Sequence, residues 1–119
     1  MRPLKIQGRG ARYKVSPADR RTYDGRVYHS ILEARHARLL DVLKGQRGKN
    51  RVRRWLPQYR IGLYVNQRLI TTWVCDFFVV YADERVEYHE CKGHETEVYK
   101  IKRKLFNALY PNGVVKVIR

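Results

Sequence analysis

The chain has 119 residues and sets 26 Lys+Arg against 11 Asp+Glu, a formal charge of +15. That length suits one domain, and 44% hydrophobic with 12% aromatic residues gives enough apolar mass for a modest core, which excludes a disordered basic tail. No apolar run approaches the roughly 18 residues of a membrane span, and the N-terminus lacks a signal peptide's apolar stretch.

Two cysteines, Cys75 and Cys91, make no disulfide framework and no paired zinc spacing. The expectation is a soluble, cytoplasmic protein with no membrane partner. Its excess of positive charge points to an anionic polymer, with nucleic acid first.

Residues 1–22 read as a basic flexible arm. Positions 1–21 hold seven basic residues against one acid, Asp19, with two glycines, two prolines and no periodicity. Such an arm is either an idle terminus or a phosphate contact. Residues 23–119 read as a single folded domain. Over Ser30 to Lys44 the pattern becomes helical, with Leu32, His36, Leu39, Leu40 and Leu43 on one arc. Ser30 is the N-cap and Gly45 the stop. From Lys44 to Arg54 six basic residues occur without an acid, a loop whose Arg47, Lys49, Arg51, Arg53 and Arg54 form a candidate phosphate-facing patch.

Strand signals follow over Tyr59 to Val65, a turn at Asn66-Gln67, then Leu69 to Tyr81. Both faces of the second run are apolar, with Val74, Phe78 and Val80 on one side and Trp73, Phe77, Val79 and Tyr81 on the other, as in a central strand. A turn through Ala82-Asp83-Glu84 leads to a third strand, Arg85 to Lys92. Thr96 to Tyr110 reads as a second helix with Val98, Ile101, Leu105, Ala108 and Leu109 as its core stripe, and Val114 to Ile118 as a strand returning parallel to a neighbour. The order is αβββαβ, an α/β fold with a mixed central sheet.

Asp76 stands among Val74, Cys75, Phe77 and Phe78, which all favour burial. An ionised carboxylate there must find a partner, take up a proton or coordinate a metal. A three-residue turn sets Tyr81 against Arg85 and Asp76 against Glu90; a two-residue turn would put the two acids on opposite faces. Opposed strand residues have Cβ atoms roughly 4.5–5.5 Å apart, and like charges at that separation need a cation between them. Oxygen-rich sites favour Mg²⁺ or Mn²⁺. Lys92, two residues beyond Glu90 and on its face, is placed to orient a water or offset charge on a phosphate. The same spacing also allows a plain ion pair of Lys92 with either acid.

Asp76, thirteen intervening residues and then Glu90-Cys91-Lys92, in an αβββαβ order, resembles the PD-(D/E)XK nuclease superfamily and its restriction-endonuclease-like core. The likeness covers about Ser30 to Ile118. It is nearest to small phage-encoded members of endonuclease or junction-resolvase type that carry a Thr-Glu-x-x-Lys-x-Lys-x-Lys-Leu-Phe stretch, here Thr96 to Phe106. Cys75 stands where the superfamily's name has Pro. The resemblance implies a Mg²⁺- or Mn²⁺-dependent endodeoxyribonuclease, structure-directed or weakly sequence-specific, acting in the host cytoplasm if phage-encoded. It further implies water as the nucleophile and 5′-phosphate and 3′-hydroxyl products.

By the same resemblance Asp76, Glu90 and the backbone carbonyl of Cys91 are metal ligands and Lys92 is the catalytic lysine. Glu33 is a further acidic ligand from the first helix, where it sits about 20° from Leu40 on the wheel; it also completes a capping box with Ser30. Gln58 is either a contact to a metal-bound water or phosphate, or a solvated strand end. In the second helix Thr96, Lys100, Lys102 and Lys104 join the nucleic-acid-binding set. Lys100, Arg103 and Lys104 form a solvated face or a phosphate track, and Lys102 snorkels or reaches toward the site. His36 is expected in the core. DNA, duplex or branched, is the expected partner, with RNA, a non-catalytic binding role and a homodimer as alternatives.

Overall fold

The structure, a computed structural model, describes residues 15–119, so most of the expected 1–22 arm lies outside the described residues. Ordered elements begin before residue 23. A 3-10 turn, Ala18–Arg21, leads into a small hairpin of β1 (Thr22–Tyr23) and β2 (Arg26–Val27). Asp24 and Gly25 turn it with φ of 51° and 81°, the left-handed pair that a two-residue hairpin loop needs. Arg21 ties it down by donating from Nε to the Ser16 carbonyl (2.7 Å) and from Nη1 to the Tyr28 carbonyl (2.6 Å).

The rest follows in the expected order: α1 (Ile31–Lys44), β3 (Val52–Val65), β4 (Arg68–Tyr81), β5 (Val86–Cys91), α2 (Glu97–Leu109) and β6 (Val115–Ile118). The sheet runs β3-β4-β5-β6, antiparallel except for the parallel β5–β6 pair. It is thus an α/β arrangement around a mixed sheet. Among the described residues no helix is long and apolar enough to cross a membrane.

The three-residue turn is present. The Tyr81 amide donates to the Arg85 carbonyl (2.8 Å), and the ladder continues as Val80↔Val86, Val79↔Glu87, Phe78↔Tyr88 and Phe77↔His89. That register carries Asp76 to a position opposite Glu90.

Three expectations are corrected. First, β3 starts at Val52 rather than Tyr59, so Arg53 and Arg54 lie in a strand and not in the loop. Val52 is fully buried beneath α1, and Pro57 is tolerated because β3 is an edge strand. Second, α1 turns Glu33, Ala34, His36, Ala37 and Leu40 inward and leaves Leu39 half-exposed, a rotation of roughly a quarter turn from the leucine arc. The two alanines let the helix lie close to the sheet, and the inward turn brings Glu33 with it while His36 stays buried. Third, Val98 and Ile101 of α2 face solvent while Phe106 is its buried anchor.

The core has two parts. Phe77, Val79 and Tyr81 pack under α1 with Tyr28, Ala37 and Leu40; Trp73 and Cys75 pack with Leu63 and Phe106 of α2. Trp73 therefore does not share a face with Phe77, as strict alternation implies. The inward-facing residues change side between Cys75 and Phe77. Gln58, which lies opposite Asp76 between the pairs Pro57↔Phe77 and Tyr59↔Cys75, takes a left-handed φ of 50°. Both strands switch faces at the same rung, so their register survives. For a glutamine that backbone is strained by about 1–3 kcal/mol, which the surrounding packing must hold in place.

The rotated α1 predicts that Leu40→Ala lowers stability by about 2–5 kcal/mol while Leu39→Ala changes it by under about 0.5 kcal/mol. Urea unfolding of the two variants measures this; equal losses would mean that the leucine arc faces the core after all.

Candidate functional site

The face change leaves Asp76 committed to neither core. The β4–β5 ladder ends one rung before it, and the side chains replace the missing backbone bonds. Asp76 Oδ2 accepts from the Cys91 amide (2.8 Å), and Glu90 Oε1 accepts from the Asp76 amide (3.0 Å). The two carboxylates thus hold each other's strands together through charge-assisted bonds.

Glu33 arrives from the first turn of α1. Its amide donates to Ser30 Oγ (3.1 Å), which is the expected cap, while its carboxylate reaches Ser30 Oγ and Gln58 Nε2, each at 3.4 Å. Ser30 is thus the N-cap by its hydroxyl, the Glu33 carboxylate turns to that hydroxyl and to Gln58, and Gln58 is half-buried beside it rather than a solvated strand end. Glu33, Asp76, Glu90, Cys91 and Lys92 all border a single cavity of about 250 Å³.

Burial first, and the Asp76 charge second, push the carboxyls of Glu33 and Glu90 up to about 7. Asp76 is raised as well, again chiefly by burial, against the opposing pull of the Cys91 amide, the His29 charge and Gln58. The cluster is short of positive charge. Lys92 lines the cavity, but its Nζ lies 3.5 Å from Glu95 Oε2, so its ion pair is with the next loop.

Tyr99 of α2 joins the wall, with Arg103 bonded to it from one helical turn further on. Arg103 donates from Nη1 to the Tyr99 hydroxyl (3.0 Å) and lies over the Trp73 ring at 5.6 Å. A hydrogen bond from Tyr99 and the Arg103 charge both act on Glu90. A wheel drawn from apolar residues alone misses them. The signal was the i, i+4, i+7 series Tyr99, Arg103, Phe106 beginning just after the Thr96 cap. His29, whose charge acts on Asp76, carried no such signal.

The basic candidates scatter. Arg47 and Lys49 are exposed in the loop after α1, Arg51 is half-buried and Arg54 is exposed on β3. Arg53 is already engaged by Glu84 through contacts of 2.7 and 3.2 Å, and Lys100 by Glu97 at 3.6 Å. Thr96 caps α2 by accepting from the Tyr99 amide (3.1 Å). Lys102 is half-buried and lines a separate hollow with Thr96 and Trp73, while Lys104 is exposed. His36 is the core histidine expected, bonded ring to ring with His89 at 2.8 Å.

The described residues contain no ready-made group of three or more His, Cys, Asp or Glu side chains placed to hold a metal ion. Asp76 and Glu90 are turned onto backbone amides instead. Over residues 12–119 the chain matches DUF1064, described as a protein of unknown function, and it belongs to that family. No curated protein and no solved structure matches it.

The raised carboxyls carry a pH signature. The folded state holds these protons more tightly than the unfolded chain, whose glutamates titrate near 4.5. The stability they contribute is complete below that value and is lost as pH climbs through about 7. In EDTA, Glu33→Gln and Glu90→Gln should therefore melt close to the parent at pH 4.5 and above it by about 4 °C or more at pH 8. Parallel melting curves at both pH values would mean that these groups are not crowded.

Proposed function

We propose that this DUF1064 protein is a divalent-metal-dependent nuclease that hydrolyses phosphodiester bonds in DNA. The observation that carries the reading is the convergence of Glu33, Asp76 and Glu90, from three different elements, with Lys92 on one cavity of a chain whose net charge is +15. Buried carboxylates crowded enough to hold protons near neutrality suit a hard cation in place of those protons. Asp76, Glu90 and Glu33 would hold Mg²⁺ or Mn²⁺, with the Cys91 carbonyl at the same edge. Bound there, the ion would polarise a phosphoryl oxygen and make a water acidic enough to attack.

The chain's own groups supply the remainder. Gln58 orients Glu33 from the strained rung, and Tyr99 with Arg103 restrains Glu90. Lys92 sits at the mouth, where moving from Glu95 to a phosphate oxygen exchanges one anion for another and offsets charge that builds on the phosphate. The exposed cations of the loop after α1 attract the backbone without reading its sequence.

A non-catalytic DNA-binding role is the second reading, favoured by the amide bonds that Asp76 and Glu90 already make. Supercoiled plasmid, branched DNA, single strands and RNA, each incubated with Mg²⁺, Mn²⁺ or EDTA, separate the two. The nuclease reading expects nicking with metal only, and a loss of at least about 100-fold in Asp76→Asn, Glu90→Gln and Lys92→Ala. Mn²⁺ should also raise the melting temperature of the parent and not that of Asp76→Asn. Binding by all four proteins with no cleavage of any substrate would leave only the accessory role.

A further inference from the structure

A second hollow, of about 150 Å³, lies on the other flank of α1 and is unrelated to the carboxylates. Three arginines line it: Arg20 from the 3-10 turn, and Arg35 with Arg38 one helical turn apart on α1; Thr22, Tyr23 and Ala34 complete the walls that matter here. No acidic side chain lines it. Asp41, the nearest acid along the helix from Arg38, has both oxygens occupied by the Tyr23 hydroxyl (2.7 Å) and the Trp55 indole (2.8 Å).

Arg38 is steadied over the Tyr23 ring at 5.3 Å, which aims its guanidinium without neutralising it. Among the described residues neither Arg20 nor Arg35 makes an ion pair or a side-chain hydrogen bond, whereas neighbouring Arg21 is spent on two carbonyls. Among the described residues none of the three guanidinium groups is ion-paired, and three such charges around one concavity favour an anion between them. Their planar donor forks match the oxygens of a phosphate, and the first turn of α1 adds its own partial positive charge.

We infer that Arg20, Arg35 and Arg38 form a phosphate-binding site that anchors the polynucleotide at a second point. Glu33 and Ala34, adjacent in the first turn of α1, line the two hollows respectively. The two hollows thus flank the same helical turn, and on the inference a strand with one phosphate at the carboxylates would reach the arginines with another. The identity of the polymer rests on the nuclease reading above; the anion site itself does not. The phosphate is either internal to the strand or a terminal 5′-monophosphate.

The test is fluorescence anisotropy in EDTA, with 3′-labelled single strands and duplexes bearing either a 5′-phosphate or a 5′-hydroxyl, titrated between 50 and 200 mM salt, the range over which phosphate contacts dominate affinity (about 10³-fold or more for many contacts). The proteins are the parent, Arg20→Gln, the Arg35→Gln/Arg38→Gln double variant, and Arg60→Gln/Arg68→Gln, which removes equal charge from exposed positions of the β3–β4 hairpin. The pocket double variant should lose about 10-fold or more in affinity, with its log–log salt slope shallower by about 2. Arg20→Gln should lose about one unit of slope, and the hairpin control should lose less than about 3-fold.

A parental preference for the 5′-phosphate that vanishes in the double variant assigns a terminal phosphate; equal loss on both oligonucleotides assigns an internal one. Equal losses in pocket and hairpin variants would overturn the inference, leaving diffuse attraction by net charge. Because the assay needs neither metal nor hydrolysis, an inactive nuclease would leave this result untouched.

Discussion

One rung of the β3–β4 ladder controls the molecule. At Gln58 and Asp76 both strands exchange faces together, which keeps the register on either side intact and hands one stretch of β4 to α1 and the other to α2. Without that exchange, Asp76 would follow simple alternation onto a face already filled by side chains, and the β4–β5 ladder would have no reason to end. With it, a carboxylate is buried at the seam between two cores, and the amides that lose their ladder partners are taken up by Asp76 and Glu90. The strain at Gln58 and the crowding of charge are stored together, next to the cavity, which is where local rules are expected to break in a chain that is otherwise consistent.

The two helices are oriented for that seam rather than for greatest burial. Turning α1 to bury its leucines would move Glu33 to the edge of the buried face, and turning α2 to bury Val98 and Ile101 would swing Tyr99 and Arg103 away from Glu90. Each helix instead leaves apolar side chains in solvent, Leu39 and Val42 on α1 and Val98 and Ile101 on α2. Single exposed apolar residues are cheap, whereas a buried carboxylate deprived of its partners costs more, so the orientation that satisfies the acids prevails.

Much of this was legible because turn length dictates register. Three residues between Tyr81 and Arg85 were enough to oppose Asp76 and Glu90, and a strand arriving after a helix was enough to make β6 parallel. Glu33 was put beside those acids by the family resemblance, its place at the edge of the α1 arc being equally that of a cap, and the quarter-turn rotation of α1 is what carries it inward. The errors about the two helices share one cause, which is that apolar residues were treated as the only marks of an inward face. Alanine at positions 34 and 37 and tyrosine and arginine at 99 and 103 mark the true faces, since small side chains permit close approach and long amphipathic ones bury their stems. Pro57 hid the start of β3 because it breaks a central strand and not an edge. The Asp24-Gly25 signal of the first hairpin was present and lay too near the basic segment to stand out. The face change could not be read at all, as nothing in the residue types at 58 and 76 distinguishes a matched irregularity from a regular rung.

The charge distribution sets two opposing demands on any polyanion. A surface rich in cations attracts polyanions, yet the cavity is lined by four carboxylates, of which Glu95 is paired with Lys92 while Glu33, Asp76 and Glu90 would repel a phosphate if they were ionised and alone. Protonation relieves the repulsion below neutrality, but a neutral carboxyl cluster offers a phosphodiester little. A divalent ion, on the nuclease reading, would relieve it at any pH by replacing those protons with charge of the right sign and offering a site for a phosphate oxygen. On the nuclease reading a cation would reconcile the positive periphery with the acidic centre, and the arginine site inferred on the opposite flank of α1 would hold phosphate without competing for that cation.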